Sequence, residues 1–339
     1  MRIRKTYFLI LLLLTACHKA PLSPKDPCTQ FEGSALSIPY HVFVGKQLSA
    51  AEHKKVEAII QKTFSEIDLL FNHLNPDSEI SRLNTAPAET LIPLSPPLQD
   101  LFSLCDRLVA LSGGRFDPTV EPLERVWSES LDQNKIPAAS DLQVACEALG
   151  WNHITVKNGI FRKDHPETRI DFRGISKGLC IDWIMDRLQA IGYSDLFIEW
   201  AGQMRASGQH PVIGDWVVQV NPHLTSEGRP FAPIPLRNSA IAMSGDFAQK
   251  GRTLQADQSP DGQMHRYFHI IDPLTAQPLE TTSYSIASAI VIAPTCALAD
   301  ALATAAMLFP GRKEAEAWAQ EVVDLHPDVS FWILSHGKK

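Results

Sequence analysis

Between Cys296 and Phe309 the chain reads Cys-Ala-Leu-Ala-Asp-Ala-Leu-Ala-Thr-Ala-Ala-Met-Leu-Phe, a run that reads as a buried helix. Residues four apart on a helix lie one above the other. Asp300 and Thr304 therefore share a face, while Leu298, Leu302, Ala305 and Phe309 form an apolar stripe on the other side. A carboxylate and a hydroxyl thus point the same way from an interior element. Two hard oxygen donors suit Mg²⁺, which takes one or two carboxylates and completes its shell with waters and substrate phosphates. The spacing also fits an Asp300 that merely caps or decorates the helix.

This helix closes a longer stretch that opens with Tyr267-Phe-His-Ile-Ile-Asp-Pro and runs through a β-rich segment ending at Val291-Ile292. Upstream, Ser37 to Val44 alternates so that Ile38, Tyr40, Val42 and Val44 share a strand face. Ser49-Ala-Ala-Glu52 is a capping box, and Val56, Ile60, Phe64, Ile67, Phe71 and Leu74 follow at helical steps until Asn75-Pro76. A second helix carries Leu98, Leu101, Cys105 and Leu108 and stops at Gly113-Gly114. A short helix over Leu142 to Leu149 precedes a hairpin turned by Asn158-Gly159. A short strand at Ile170 to Phe172, a turn at Arg173-Gly174 and a helix to Gly192 come next. That junction predicts an anion site, because the first helical amides lack intrahelical partners and Lys177 adds positive charge.

Further strands are expected at Leu196 to Trp200, Trp216 to Asn221, Ala240 to Met243, Tyr267 to Ile271 and Ser288 to Ile292. A last helix over Glu314 to Val323 and a strand over Ser330 to Leu334 complete the pattern. Helices and strands interleave without a βαβ period, which predicts an α+β fold of mixed β-sheets flanked by helices and not a doubly wound sheet. The 339 residues allow one large domain or two intimate ones. A net charge of −7 argues against a nucleic-acid or anionic-membrane binder, since both need a basic face.

The N-terminus is expected to stand apart from the fold. Arg2, Arg4 and Lys5 precede the apolar run Tyr7 to Leu14, the layout of an export signal over residues 1–16. That run is well short of the roughly 20 residues that span a bilayer. Leu14-Thr15-Ala16-Cys17 resembles a bacterial lipobox, which implies cleavage before Cys17 and its acylation. Residues 17–30, with Pro21, Pro24 and Pro27, read as a tether to a domain over 31–339. Of the six cysteines, Cys105, Cys146, Cys180 and Cys296 fall in apolar helical patterns and are expected to be small buried residues; Cys28 stands outside those patterns.

The chain lacks the P-loop and the G-x-G-x-x-G fingerprint, H-E-x-x-H and paired CxxC motifs, so Rossmann and zinc chemistry are unsupported. Gly174-Ile-Ser-Lys-Gly178 matches a serine nucleophile elbow, with Asp246 and His269 following in triad order. A hydrolase using Ser176 is therefore an alternative, weakened by the missing HGGG-type segment and βαβ repeat.

Three sets of residues taken together weigh more. Arg115-Phe-Asp-Pro-Thr-Val, Asp171-Phe-Arg-Gly-Ile-Ser-Lys-Gly, and Tyr267-Phe-His-Ile-Ile-Asp-Pro with the Ala299-Asp-Ala-Leu-Ala-Thr helix resemble the ApbE family of FAD:protein FMN transferases, in order and spacing, from about Gly33 to Phe309. The resemblance implies an ApbE-like, T-fold-like single compact unit. It implies Mg²⁺-dependent transfer of FMN from FAD to a Ser or Thr hydroxyl of an acceptor flavoprotein, with release of AMP. Asp171 and Lys177 match FAD-contacting positions, Arg115, Phe116 and Asp117 match a segment lining the nucleotide, and Ile271 falls where the chain touches FAD. Gly174, Asp300 and Thr304 fall at the metal positions, His269 at the histidine that assists the acceptor hydroxyl, and Ser244-Gly245-Asp246 at an SGD turn.

Departures from the family pattern are visible. Leu36-Ser37-Ile38 stands for a Met-Gly-Thr segment and Leu74 for an aromatic, both FAD-contacting in the family. Arg173 replaces a glycine, and Ala201-Gly202-Gln203 a double glycine. The implied protein is a lipid-anchored bacterial lipoprotein facing the periplasm. Its partners would be FAD, exported flavoproteins and exported domains of redox membrane complexes, with the membrane met through lipid alone. A non-catalytic FAD carrier and an FAD pyrophosphatase remain alternatives.

Overall fold

The computed structural model describes residues 27–220, 232–245, 252–255, 264–282 and 284–336, and of Arg252 and His269 the backbone alone. The leader, Cys17, most of the expected tether and Asp246 lie outside the described residues.

In chain order, the hairpin of β1 (Thr29–Ala35) and β2 (Ile38–Val44) leads to helices α1 (Ala50–Phe71) and α2 (Glu79–Thr85). β3 (Ile92–Pro93) precedes α3 (Pro96–Leu111), α4 (Glu121–Asp132) and α5 (Ala139–Ala148), then the hairpin of β4 (Ile154–Lys157) and β5 (Ile160–Lys163). α6 (Ser176–Ala190) is followed by β6 (Leu196–Trp200), β7 (Gln203–Ser207), β8 (Trp216–Val218), β9 (Ile234–Leu236) and β10 (Ser239–Gly245). Next come β11 (Arg252–Leu254), β12 (His265–Asp272), β13 (Gln277–Glu280) and β14 (Ile286–Ala293). α7 (Cys296–Met307), α8 (Arg312–Leu325) and β15 (Ser330–Ser335) close the described chain.

The frame is a seven-stranded sheet in the order β1-β2-β6-β7-β10-β14-β15, antiparallel at every pairing. Alternation sends Tyr40, Val42 and Val44 of β2, Leu196, Ile198 and Trp200 of β6, and Ala289 and Val291 of β14 into one core with α1, α6 and α7. The opposite face carries Phe197, Ile241 and Ile290 into a second core, closed by Trp216, Val218 and Leu236 of the β8-β9 hairpin. Because both faces are covered, all five residues of β6 are buried. A third cluster joins Leu123 and Trp127 of α4 to Tyr267 and Ile271 of β12.

α1 begins with the expected capping box, Ser49 and Glu52 each bonding the other's backbone. The turn at Asn158-Gly159 takes positive φ at both residues, as a type I′ hairpin requires. Gly178 sets how closely α6 meets α7: a Cβ there would lie 2.3 Å from the Cys296 carbonyl oxygen, so the helices touch backbone to backbone.

The structure also departs from the expectations. Residues 170–172 are not a strand, because Ile170 pairs with a side chain and Asp171 N with the loop carbonyl of Pro118. Asn84 Oδ1 accepts from Ile170 N at 2.7 Å, and Asn84 Nδ2 donates to Ile170 O at 2.9 Å. Without a preceding strand the nucleophile-elbow reading of Ser176 loses the local structure it needs. β1 begins at Thr29, inside the expected tether, with Thr29 bonded through N and Oγ1 to Lys46 O. Cys146 is exposed, since α5 buries Ala145 and Ala148 and turns its neighbour outward. β7 and the helices α2 and α4 were not expected; α4 opens Glu121-Pro122, with proline at the helix start where its missing N–H is harmless.

Candidate active site

α7 sits against β10 and β14 and beside α6, and nearly every one of its residues is buried. Alanines permit that close packing, and the helix start is pinned from α6. Asp182 accepts from Cys296 N at 2.8 Å and from Ala297 N at 2.9 Å, filling two of the donors a helix start leaves open. Arg205 of β7 holds Asp182 in turn at 2.8 Å. Burial pushes the Asp182 carboxyl up to about 6 despite Arg205 and the two amides.

One turn along, Asp300 projects toward α6. Its Oδ1 accepts from Gln203 Nε2 at 2.9 Å and its Oδ2 from Gly178 N at 3.2 Å, while Lys177 Nζ stands 3.8 Å from Oδ2. Thr304 lies on the next turn, its Oγ1 3.3 Å from Ser244 Oγ at the end of β10. Gly174 faces Thr304 across the gap: a Cβ on Gly174 would lie 3.8 Å from Thr304 Oγ1 and 3.3 Å from the Phe116 ring edge. The structure therefore brings Gly174, Lys177, Asp300 and Thr304 together with Phe116.

Charge favours a cation here. Burial pushes the Asp300 carboxyl above its usual range, and Lys177, the Gln203 amide and the Gly178 amide oppose this without cancelling it. A hard divalent cation would relieve that cost. Among the described residues no group of three or more His, Cys, Asp and Glu is placed to hold a metal. The oxygens of Asp300, Thr304 and Gly174 are thus a sparse, hard donor set, the kind that leaves room for water and phosphate around Mg²⁺. The residues fit that ion.

The start of α6 is less open than expected for an anion. Ser176 N bonds Phe172 O and Gly178 N bonds Asp300, so positive charge at this end comes from the Lys177 ammonium, which also donates to Arg173 O at 2.5 Å.

The remaining expected residues form the surroundings. Arg115 Nη1 donates to Leu308 O at 2.7 Å and pairs with Asp272 at 3.2 Å, with its guanidinium over the Phe309 ring. Asp117 Oδ1 accepts from the Thr119 amide and hydroxyl, and its Oδ2 accepts from Trp151 N. Asp171 is buried between Arg173 and His73. Burial pushes its carboxyl up, but the His73 hydrogen bond and the Arg173 charge outweigh that and hold it at about 2. Asp171 N donates to Pro118 O at 2.7 Å, which ties the 115–119 turn to the Gly174 turn.

Ile271 is buried against Trp127 and Tyr267. His269 lies on β12 between Tyr267 and Ile271, where the register with β13 shifts. Leu36 and Leu74 are both exposed, at the β1-β2 turn and just after α1. Leu36 and Ser37 take φ of 49° and 65°. Both lie in the left-handed region that favours glycine. Gln203 went unassigned in the sequence; its signal was its place after a two-residue turn, Ala201-Gly202, beside a strand end.

A model of the ApbE family matches residues 35–327. A FAD:protein FMN transferase of Chlamydia pneumoniae is 34% identical over 317 residues, covering 93% of this chain and 94% of that protein. One from Vibrio cholerae is 27% identical over 300 residues, covering 88% and 85%. Among solved structures, apo Pseudomonas stutzeri flavinyl transferase ApbE aligns with a TM-score of 0.78 at 24% identity, over 92% of each chain. Flavin transferase ApbE from Vibrio cholerae aligns at 0.75 and 25% identity, over 91% of this chain and 98% of that one.

Proposed function

The chain belongs to the ApbE family of flavin transferases, and from that membership we propose that it uses Mg²⁺ to move FMN from FAD onto a Ser or Thr hydroxyl of an acceptor flavoprotein, releasing AMP. The observation that carries this reading is the buried Asp300 one turn from Thr304, with Lys177 at 3.8 Å and Gly174 opposite.

In the proposed reaction the acceptor oxygen attacks the phosphorus nearer the riboflavin. A new phosphoester bond forms as the anhydride bond to the AMP phosphate breaks, and that bond's electron pair leaves on AMP. Asp300, Thr304 and Gly174 would hold Mg²⁺, which would supply charge neutralisation of phosphate oxygens and of the leaving group. The Lys177 ammonium meets the charge that develops on the same oxygens. His269 takes the acceptor hydroxyl proton, a task suited to an imidazole whose unperturbed pKa is about 6.5.

Incubating the full chain with FAD, Mg²⁺ and candidate exported acceptors tests this. An FMN-sized mass gain on the acceptor with matching AMP is the expected result. Free FMN and AMP without acceptor labelling would replace transfer by pyrophosphatase activity, and FAD binding with no turnover would leave a carrier. Anchoring is proposed through acylated Cys17 on the periplasmic side: Cys17→Ser is expected to release the protein from membranes with FAD binding intact, and persistent membrane association would sink that part.

A further inference from the structure

Gln203 opens β7, after the turn Ala201-Gly202, and is 3% exposed. Its Nε2 donates to Asp300 Oδ1 at 2.9 Å, and its Oε1 is buried without a hydrogen-bond partner. The sense of this amide follows from chemistry: reversed, it would set a carbonyl oxygen against a carboxylate oxygen. An unsatisfied buried carbonyl is destabilising, so the side chain keeps its N–H on Asp300 in spite of a local penalty. Directly opposite in register, and so on the same sheet face, Trp200 carries a second buried orphan, its Nε1–H.

We infer that Gln203 is the positioning residue of the cation site, holding Asp300 by a neutral N–H, so that the group that turns the carboxylate toward Thr304 and Gly174 does not itself neutralise it. A lysine or arginine in its place would orient the carboxylate equally well but would neutralise it. With Gly178 N at 3.2 Å on the other oxygen, the carboxylate is held at both ends by uncharged donors, and each oxygen keeps a lone pair for a cation. The nearest cation, Lys177, stands off at 3.8 Å.

The inference rests on the Mg²⁺ reading above, and the test separates the two. Mg²⁺ binding is measured by calorimetry on the full-length, FAD-free protein for wild type, Asp300→Asn, Gln203→Met and Gln203→Asn, with a thermal melt of each. Methionine keeps the length and apolar bulk, lacks the donor and brings no orphaned carbonyl. Gln203→Met is expected to weaken Mg²⁺ binding by about 10–100-fold, the usual effect of losing an outer-shell partner. Its melting temperature should fall only slightly, since the bond lost at Asp300 Oδ1 is offset by removal of the orphaned carbonyl, so Mg²⁺ affinity drops far more than stability, which a merely structural role would not give. Mg²⁺ affinity within about twofold of wild type overturns the inference. If Gln203→Met does not fold, Gln203→Asn decides: its arm is one methylene short, so the same loss supports the inference and wild-type affinity overturns it. A wild-type protein that takes up no Mg²⁺, or binds it no better than Asp300→Asn, overturns the cation reading itself and the inference with it.

Discussion

Two neighbouring regions share this site and spend their polar groups differently. Around α7, Asp300 is touched by two neutral N–H donors with a lysine held off at 3.8 Å, and Thr304 meets Ser244 at 3.3 Å. Across Phe116, the 115–119 and 171–173 segments turn their charges on the protein. Arg115 binds Leu308 O and Asp272, Asp117 binds Thr119 and Trp151, and Asp171 is held by Arg173 and His73. The first region holds a buried carboxylate through neutral donors; the second spends its charges shaping the loops beside it. Residues of equal weight in a motif thus do different physical work.

Substitutions separate the two kinds of work. Asp300→Asn keeps size, and keeps both hydrogen bonds once the Gln203 amide turns over, but removes the charge a hard cation needs, so it should abolish Mg²⁺ binding and FMN transfer while the fold persists. Calorimetry and AMP release check this, and full Mg²⁺-dependent activity would move the site elsewhere.

A buried carboxylate in neither region supplies a pH control. Burial pushes Glu199 from its ordinary 4.5 up to about 7, against a single opposing bond from Gly202 N. The folded protein then keeps a proton that the unfolded chain has lost, so stability is expected to fall as pH rises from 4.5 to about 7, by about 3 kcal/mol at most. Glu199→Gln should flatten that slope in urea unfolding at about pH 5 and about pH 7.5 without changing Mg²⁺ affinity. An unchanged slope would refute the assignment.

Arg115→Ala strips Asp272 and Leu308 O of a charged donor and should cost about 1.5–3 kcal/mol of stability. It should leave Mg²⁺ affinity close to wild type, the reverse of Asp300→Asn; a large loss of Mg²⁺ binding at wild-type stability would erase the contrast between the regions. A comparable effect is expected at Arg173, whose own side chain is 54% exposed but whose partner Asp171 is buried. Arg173→Ala leaves the Asp171 carboxylate with His73 and should lower stability by about 1–3 kcal/mol, read as a shift in the urea midpoint, again with Mg²⁺ affinity near wild type.

Much of this was legible locally. The Ser49-Glu52 box, the Asn158-Gly159 turn, the helix beginning at Ser176 and the shared face of Asp300 and Thr304 each depend on residues a few positions apart, where sterics and periodicity act directly. Residues 170–172 read as a short strand, yet Ile170 bonds the side chain of Asn84, 86 positions away, and Asp171 N bonds Pro118 O. Nothing local announces such a partner.

The alanine-rich run with one acid and one hydroxyl determined by itself that a buried helix would present Asp300 and Thr304 on one side, because helical periodicity leaves no other arrangement. Which groups would stand opposite was decided by the tertiary structure. The backbone contact at Gly178 sets α6 against α7, the β6-β7 turn delivers Gln203, and the end of β10 delivers Ser244. Those meetings depend on packing across more than 90 positions of chain between Gln203 and Asp300, a distance over which sequence pattern carries no geometry.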